Sequence, residues 1–206
     1  MDAFDRDAEI ARLMDLLPAS SRMRVHILSR PQQSQVITAP FPWPWRWELP
    51  VHINFELWQN LTSPQRDLLF LRMDRWLRGI AWLRPGWSQG LALAGSFAVF
   101  AQGVQGDAVG VLVGAGLTAV AVRQLWRYYR SPAYELQADE AALTWAQRRG
   151  YTEAEAARAL LEAIERQAQL ERRGLNFTEL VRTQNLRALA GLSDVMVPSS
   201  YRTLDQ

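Results

Sequence analysis

The sequence predicts a mainly helical α+β protein, a small sheet with several helices, interrupted by a two-helix hairpin suited to a bilayer. Three observations carry this. Short β-favouring runs crowd the chain before Glu56, apolar residues recur at helical spacing from Thr62 onward, and Asp107 is the single charged side chain between Arg84 and Arg123. At 206 residues and 49 % apolar, the chain has enough for one core, with or without an anchor. The parts divide as an N-terminal amphipathic helix (1–22), short strands followed by a helix (23–84), the apolar hairpin (85–130), a further helical part (131–190) and a tail (191–206).

Composition excludes several functions. With 23 basic and 21 acidic residues, and a net charge of +2, no global field favours nucleic acid. Every basic residue is Arg. Cysteine is absent, so disulfides, thiolate metal sites and cysteine nucleophiles are excluded. The acidic start, Met1-Asp2-Ala3-Phe4-Asp5, does not resemble a secretory leader.

In chain order, Ile10, Leu13, Met14 and Leu17 mark one face of a helix over 5–17, with Pro18 after it. Residues 24–28 and 34–38 read as a β-hairpin around Pro31, and 50–55 as a third strand. Between them, Pro40, Pro42 and Pro44 cannot sit in a central strand, so Trp43, Trp45 and Trp47 ride on an extended arm, docked either on the sheet or at a lipid interface. Thr62-Ser63-Pro64 opens a helix that runs to Ile80 or Leu83. Ser131-Pro132 opens another, which Gly150 stops. Thr152 and Glu155 cap a third that reaches about Arg172 and ends at Gly174, and a last helix spans about Phe177 to Ala190.

The hairpin reading rests on limbs from Gly86 to Gly103 and from Ala108 to Val122, with Asp107 capping the second. Each limb is short for a bilayer, which needs about 20 apolar residues. The flanks favour insertion. Trp82 and Trp87 precede the hairpin, Trp126, Tyr128 and Tyr129 follow it, and arginines gather on the side of both termini. Gly90, Ala94 and Ala98, and Gly110, Gly114 and Thr118, form small-residue ridges for close packing. An apolar run of this length also suits a helical pair buried in a soluble core. Eight of the twelve glycines fall between 86 and 116, and this favours lipid, where helix glycines are common. The expectation is an integral membrane protein of the plasma or thylakoid membrane, with both termini cytoplasmic and membrane lipids among its partners.

After the hairpin stands Glu135-Leu-Gln-Ala-Asp139, then Gly150-Tyr151 and an alanine-rich helix. This order of parts resembles membrane zinc metallopeptidases of the HtpX type over residues 50 to 172. That resemblance implies a degenerate metallopeptidase fold in which Glu135 stands at the third zinc-ligand position and Asp139 at the position orienting a zinc-bound histidine. The H-E-x-x-H half of the site is missing: Arg72, Met73 and Trp76 occupy the places of its first His, its Glu and its second His. A guanidinium has no lone pair for zinc. A carboxylate pair at i, i+4 deprived of its cation needs another positive charge, so Arg72 is expected to bridge to Glu135 or Asp139. Over nearly the whole chain, strings such as Gln105-Gly-Asp-Ala-Val-Gly-Val and Arg149-Gly-Tyr-Thr-Glu-Ala-Glu-Ala-Ala resemble a cyanobacterial family of unknown function.

Together these readings imply a pseudoenzyme without cofactor: a membrane-anchored metallopeptidase framework that binds or scaffolds a membrane protein, in a setting such as photosynthetic-complex assembly. Two other classes stay open. One is an active metal-dependent hydrolase using His26, His52 and Glu135. The other is a structural subunit of a membrane complex.

Overall fold

In the computed structural model, residues 4–42, 47–79, 116, 119, 120, 123, 127 and 131–193 are described. The elements are α1 (Arg6–Leu16), α2 (Ala19–Arg22), β1 (Val25–Ser29), β2 (Ile37–Thr38), β3 (Leu49–Ile53), α3 (Phe55–Trp58), α4 (Ser63–Gly79), α5 (Pro132–Gln147), α6 (Glu153–Leu170) and α7 (Phe177–Leu189). The protein is therefore mainly helical, with one three-stranded sheet among the described residues.

The sheet departs from the expected hairpin. Its order is β1-β3-β2, with β3 parallel to β1 and antiparallel to β2. The reason lies in burial and in the loop. Leu49, Val51 and Ile53 are all buried, and such a strand belongs at the centre, where both its edges are paired. The 30–36 loop is then fastened across the end of β3: Arg30 N–H donates to Ile53 O, and the Asn54 amide donates to Pro31 O and Gln33 O. A direct turn from β1 into β2 is thereby ruled out.

Helix ends follow local chemistry. Asp5 caps α1, Ser131 caps α5 with Pro132 in its first turn, and both Thr152/Glu155 and Asn176/Glu179 form reciprocal capping boxes. At the end of α6 the left-handed residue is Arg172, at φ 53°, and not Gly174. The core lies where α4 packs on α5 and α6, and α6 on α7. Trp58, Phe70, Leu68, Leu71, Leu136, Leu160, Ile164 and Leu186 are fully buried there, and Ala156, Ala157 and Ala163 keep the buried face of α6 low.

Among the described residues no helix is long and apolar enough to cross a membrane. This corrects the expectation of an integral plasma or thylakoid membrane protein with cytoplasmic termini. The long helices are excluded by charge: α4 alone carries Arg66, Asp67, Arg72, Asp74, Arg75 and Arg78. The apolar limbs between 86 and 122 lie outside the described residues, apart from Gly116, Ala119 and Val120, which are helical and exposed. Trp82, Trp87, Trp126, Tyr128 and Tyr129 lie outside them too.

Candidate functional site: a charge cluster at the foot of a cleft

Arg72 lies midway along α4, on a face that meets the first turns of α5. Glu135 and Asp139, one turn apart on α5, point toward it. Arg72 Nη2 is in direct contact with Glu135 Oε2, and Arg72 Nε is 3.5 Å from Asp139 Oδ1. Trp76, one turn on, donates its indole N–H to the other Glu135 oxygen at 3.0 Å. Tyr134 packs edge-on against Trp76 and donates its hydroxyl to Trp76 O at 2.6 Å. Gly79 makes room for that ring, since a Cβ there would stand 2.7 Å from the Tyr134 hydroxyl.

A fourth charge comes from α7. Arg182 Nε and Nη2 donate to the two oxygens of Asp139 at 2.7 and 2.8 Å, a buried bidentate pair. Sequence reading missed Arg182. The available signal is its position four residues before Leu186, which places a guanidinium on the buried side of α7 and so requires a carboxylate partner. Burial, reinforced by the like charge of Arg182, pulls the Arg72 pKa down to about 9, with Asp139 offsetting part of the fall. Arg72 remains a cation at neutral pH.

Above the cluster opens a cleft of about 510 Å³, lined by Arg72, Glu135, Asn176, Thr178, Glu179 and Arg182, with Phe177 at its rim. Phe177 is 61 % exposed and Leu180, one turn along, 52 %. The cleft wall is braced by Arg173, which grips Glu179 through two 2.7 Å bonds and Glu171 through a third. Glu171 in turn accepts the backbone N–H of Val36 at 2.8 Å. The α6–α7 turn is thus tied to the sheet just before β2.

The remaining candidates fall elsewhere. Met73 is buried in the core, because Leu69, Met73 and Leu77 share one stripe of α4. His26 and His52 lie on the face of the sheet opposite the buried side chains of Leu49, Val51 and Ile53. His52 has its pKa lowered by partial burial and by Arg30. Among the described residues no three His, Asp or Glu side chains converge on a metal-sized point. The residues of the alternative site are not grouped as a metal site among the described residues: His26 and His52 stand on the sheet and Glu135 on α5, where Arg72 and Trp76 engage it. The zinc implied by resemblance does not fit either. Glu135 is engaged by Arg72 and Trp76, Asp139 by Arg182 and Arg72, and no imidazole stands beside them.

A second charged cluster grips the start of α4. Glu9 accepts from Arg12 Nε and Nη2 at 2.9 Å each and from the Trp58 indole at 3.1 Å, and Arg66 Nη1 lies 3.1 Å away. Asp67 accepts from Arg12 at 2.5 Å and from the Tyr151 hydroxyl at 2.8 Å.

Residues 11–151 match a family described as "Protein of unknown function (DUF3318)". That match spans more than half of the chain, so the chain belongs to this family; Arg72, Glu135 and Asp139 fall inside the matched residues and Arg182 outside. No curated protein and no solved structure matches the chain.

Proposed function

We propose that this member of the DUF3318 family is a non-catalytic protein-binding scaffold, built on a framework akin to zinc metallopeptidases of the HtpX type, in which arginines hold the charge that the metal would supply. One observation carries the reading: Arg72, at the place matched to the first zinc histidine, contacts both Glu135 and Asp139. A carboxylate pair on successive turns of a partly buried helix needs a cation, and here the side chain of another helix provides it. The partner docks in the cleft above, where exposed Phe177 offers apolar area beside polar groups of Asn176, Thr178 and Glu179, and reaches Leu180, exposed one turn along α7 outside the cleft lining. The likeness to a cyanobacterial family belongs to the same proposal and makes an assembly intermediate of a photosynthetic complex the first partner to seek.

The framework is tested by restoring H-E-x-x-H with Arg72→His, Met73→Glu and Trp76→His together. The refitted protein is expected to take up one zinc ion, lost again on Glu135→Ala. A folded triple variant that binds no zinc contradicts the kinship. Stoichiometric zinc in the wild-type protein, lost on Glu135→Ala, contradicts the non-catalytic reading. The scaffold role is tested by affinity purification from the native host: a protein retained by wild type and lost on Phe177→Ser with Leu180→Ser supports the cleft as its dock.

A further inference from the structure

Away from the cleft, β1 is an edge of the sheet among the described residues, and the ladder shows which of its backbone groups face outward. Leu49 N–H donates to Arg24 O, and Arg30 N–H donates to Ile53 O. With the register Val25 to Leu49 through Ser29 to Ile53, the even-numbered residues of β1 therefore turn their amides toward β3, and Val25, Ile27 and Ser29 turn theirs away. Among the described residues, the outward N–H and C=O groups of Ile27 and Ser29 take no hydrogen bond. An open row of this kind is a template for another strand.

Two further observations say what that strand is. The edge is basic at both ends: Arg24 precedes it and Arg30 follows it, while Arg22 is paired with the exposed Asp15 at 3.3 Å and Glu48 is an exposed carboxylate beside the start of β3. Arg24 is held in position by Trp47, donating Nε to Trp47 O at 3.0 Å with its guanidinium 5.0 Å from the indole centroid. Apolar surface lies at the same place, with Met23 73 %, Trp47 68 % and Leu28 46 % exposed. A second copy of β1 is a poor occupant. Antiparallel self-pairing about Ile27 sets Arg24 against Arg30 of the other copy at both ends, and like charges directly opposite destabilise a ladder.

From this edge we infer that β1 accepts an extended acidic segment of another protein as a fourth strand of the sheet. The backbone of Ile27 and Ser29 supplies the hydrogen bonds, the arginines at the two ends select acidic flanks, and Met23, Leu28 and Trp47 cover β-branched residues between them. Arg24 and Arg30 are six residues apart, so about 20 Å of extended peptide, or about seven residues, spans the pair. This inference is independent of the cleft proposal.

The test uses the full chain and a fluorescently labelled heptapeptide, Glu-Asp-Val-Thr-Val-Asp-Glu, followed by anisotropy. Saturable binding is expected. It should weaken about tenfold or more when the acids are replaced by lysines, when alternate peptide amides are N-methylated, and in the variant Ile27→Pro, which removes an outward N–H and leaves the β1–β3 ladder intact. Arg30→Glu disturbs no ladder bond and should shift the preference toward the lysine peptide. Absence of binding to the intact chain, equal binding of both peptides, or indifference to N-methylation overturns the inference. A dimer in sedimentation that Ile27→Pro dissolves overturns it in favour of self-pairing.

Discussion

The two charged clusters on α4 are built from nearly the same parts, and they differ in what lies above them. Each holds two arginines and two carboxylates, and in each a tryptophan indole donates to the glutamate: Trp58 to Glu9 at 3.1 Å and Trp76 to Glu135 at 3.0 Å. The Glu9 cluster closes a seam. Arg12 on α1 and Tyr151 beyond α5 converge on Asp67 at the start of α4, and Trp58 on α3 donates to Glu9 on α1, so distant parts of the chain are joined. The Arg72 cluster joins α4, α5 and α7, yet it forms the floor of an open cleft. Ionic groups that only fasten helices do not need a cavity over them. A cleft of about 430 Å³ also adjoins the Glu9 cluster, but it touches that cluster only through Tyr151, whereas Arg72, Glu135 and Arg182 themselves line the cleft above theirs. There the charges reach whatever enters, and this is the physical ground for placing the binding site at Arg72.

Removing the central carboxylate on each side sharpens the contrast most. Asp139→Ala strips Arg182 of its bidentate partner and Arg72 of one of two, leaving buried guanidinium charge uncompensated at a cost of about 3–5 kcal/mol. Asp67→Ala should cost less, about 1–3 kcal/mol, because Arg12 is more than a third exposed and retains Glu9. Urea melts of the two variants decide this, and equal losses would erase the distinction between the clusters. Gly79→Ala comes next. Its new methyl meets the Tyr134 hydroxyl at 2.7 Å and must displace the ring that supports Trp76, for about 1–2 kcal/mol. The loss should appear with a blue-to-red shift in tryptophan emission as Trp76 is loosened.

The third contrast is between the indoles. Trp58→Phe removes a donor from the less exposed glutamate and should cost about 1 kcal/mol, while Trp76→Phe, beside a glutamate that water can reach, should cost about half that. Thermal melts at matched ionic strength read the difference. A larger loss for Trp76→Phe would mean that the cleft floor is the more rigid of the two.

What could be read from residues alone was mostly local or electrostatic. Ser131-Pro132 and Thr152/Glu155 mark helix starts because their chemistry acts within one turn. The meeting of Arg72 with Glu135 and Asp139 was legible because an i, i+4 carboxylate pair on a buried helix face demands a cation, and the resemblance supplied the facing helix. Asn176 and Glu179 carry the same capping pattern as Thr152 and Glu155 and could have been read the same way. Strand pairing was not local. Nothing between residues 24 and 38 reveals that β3 slips between β1 and β2, since that depends on which strand buries most apolar surface once the helices have packed. Arg182 was hidden for a related reason: its partner lies 43 positions away on another helix. The end of α6 shows a third limit: the helix was expected to end at Gly174, and it stops at Leu170 with the left-handed residue at Arg172.

The smallest effect is in pH and sets Glu9 of the first cluster against Asp74, a carboxylate of α4 outside both clusters. Burial alone would raise the Glu9 carboxyl pKa, but hydrogen bonds from Arg12 and Trp58, with the charges of Arg12 and Arg66, hold it below its ordinary 4.5. The unfolded chain therefore takes up this proton at higher pH than the folded one. The stability Glu9 contributes is complete above about pH 4.5 and is lost as pH falls through the lowered value. Asp74, buried farther along α4, runs the other way. Burial raises its pKa above 3.8, with Ser21, Arg75 and Arg78 offsetting part of the rise, so the folded state takes up that proton first and gains as pH falls through the raised value. Urea midpoints from about pH 7 to about pH 3 should thus show a shallower acid loss for Glu9→Gln and a steeper one for Asp74→Asn. Parallel curves for both variants and wild type would place the acid sensitivity on other carboxylates, and the Glu9 cluster would then be a fastening whose strength comes from packing around Trp58 more than from its charges.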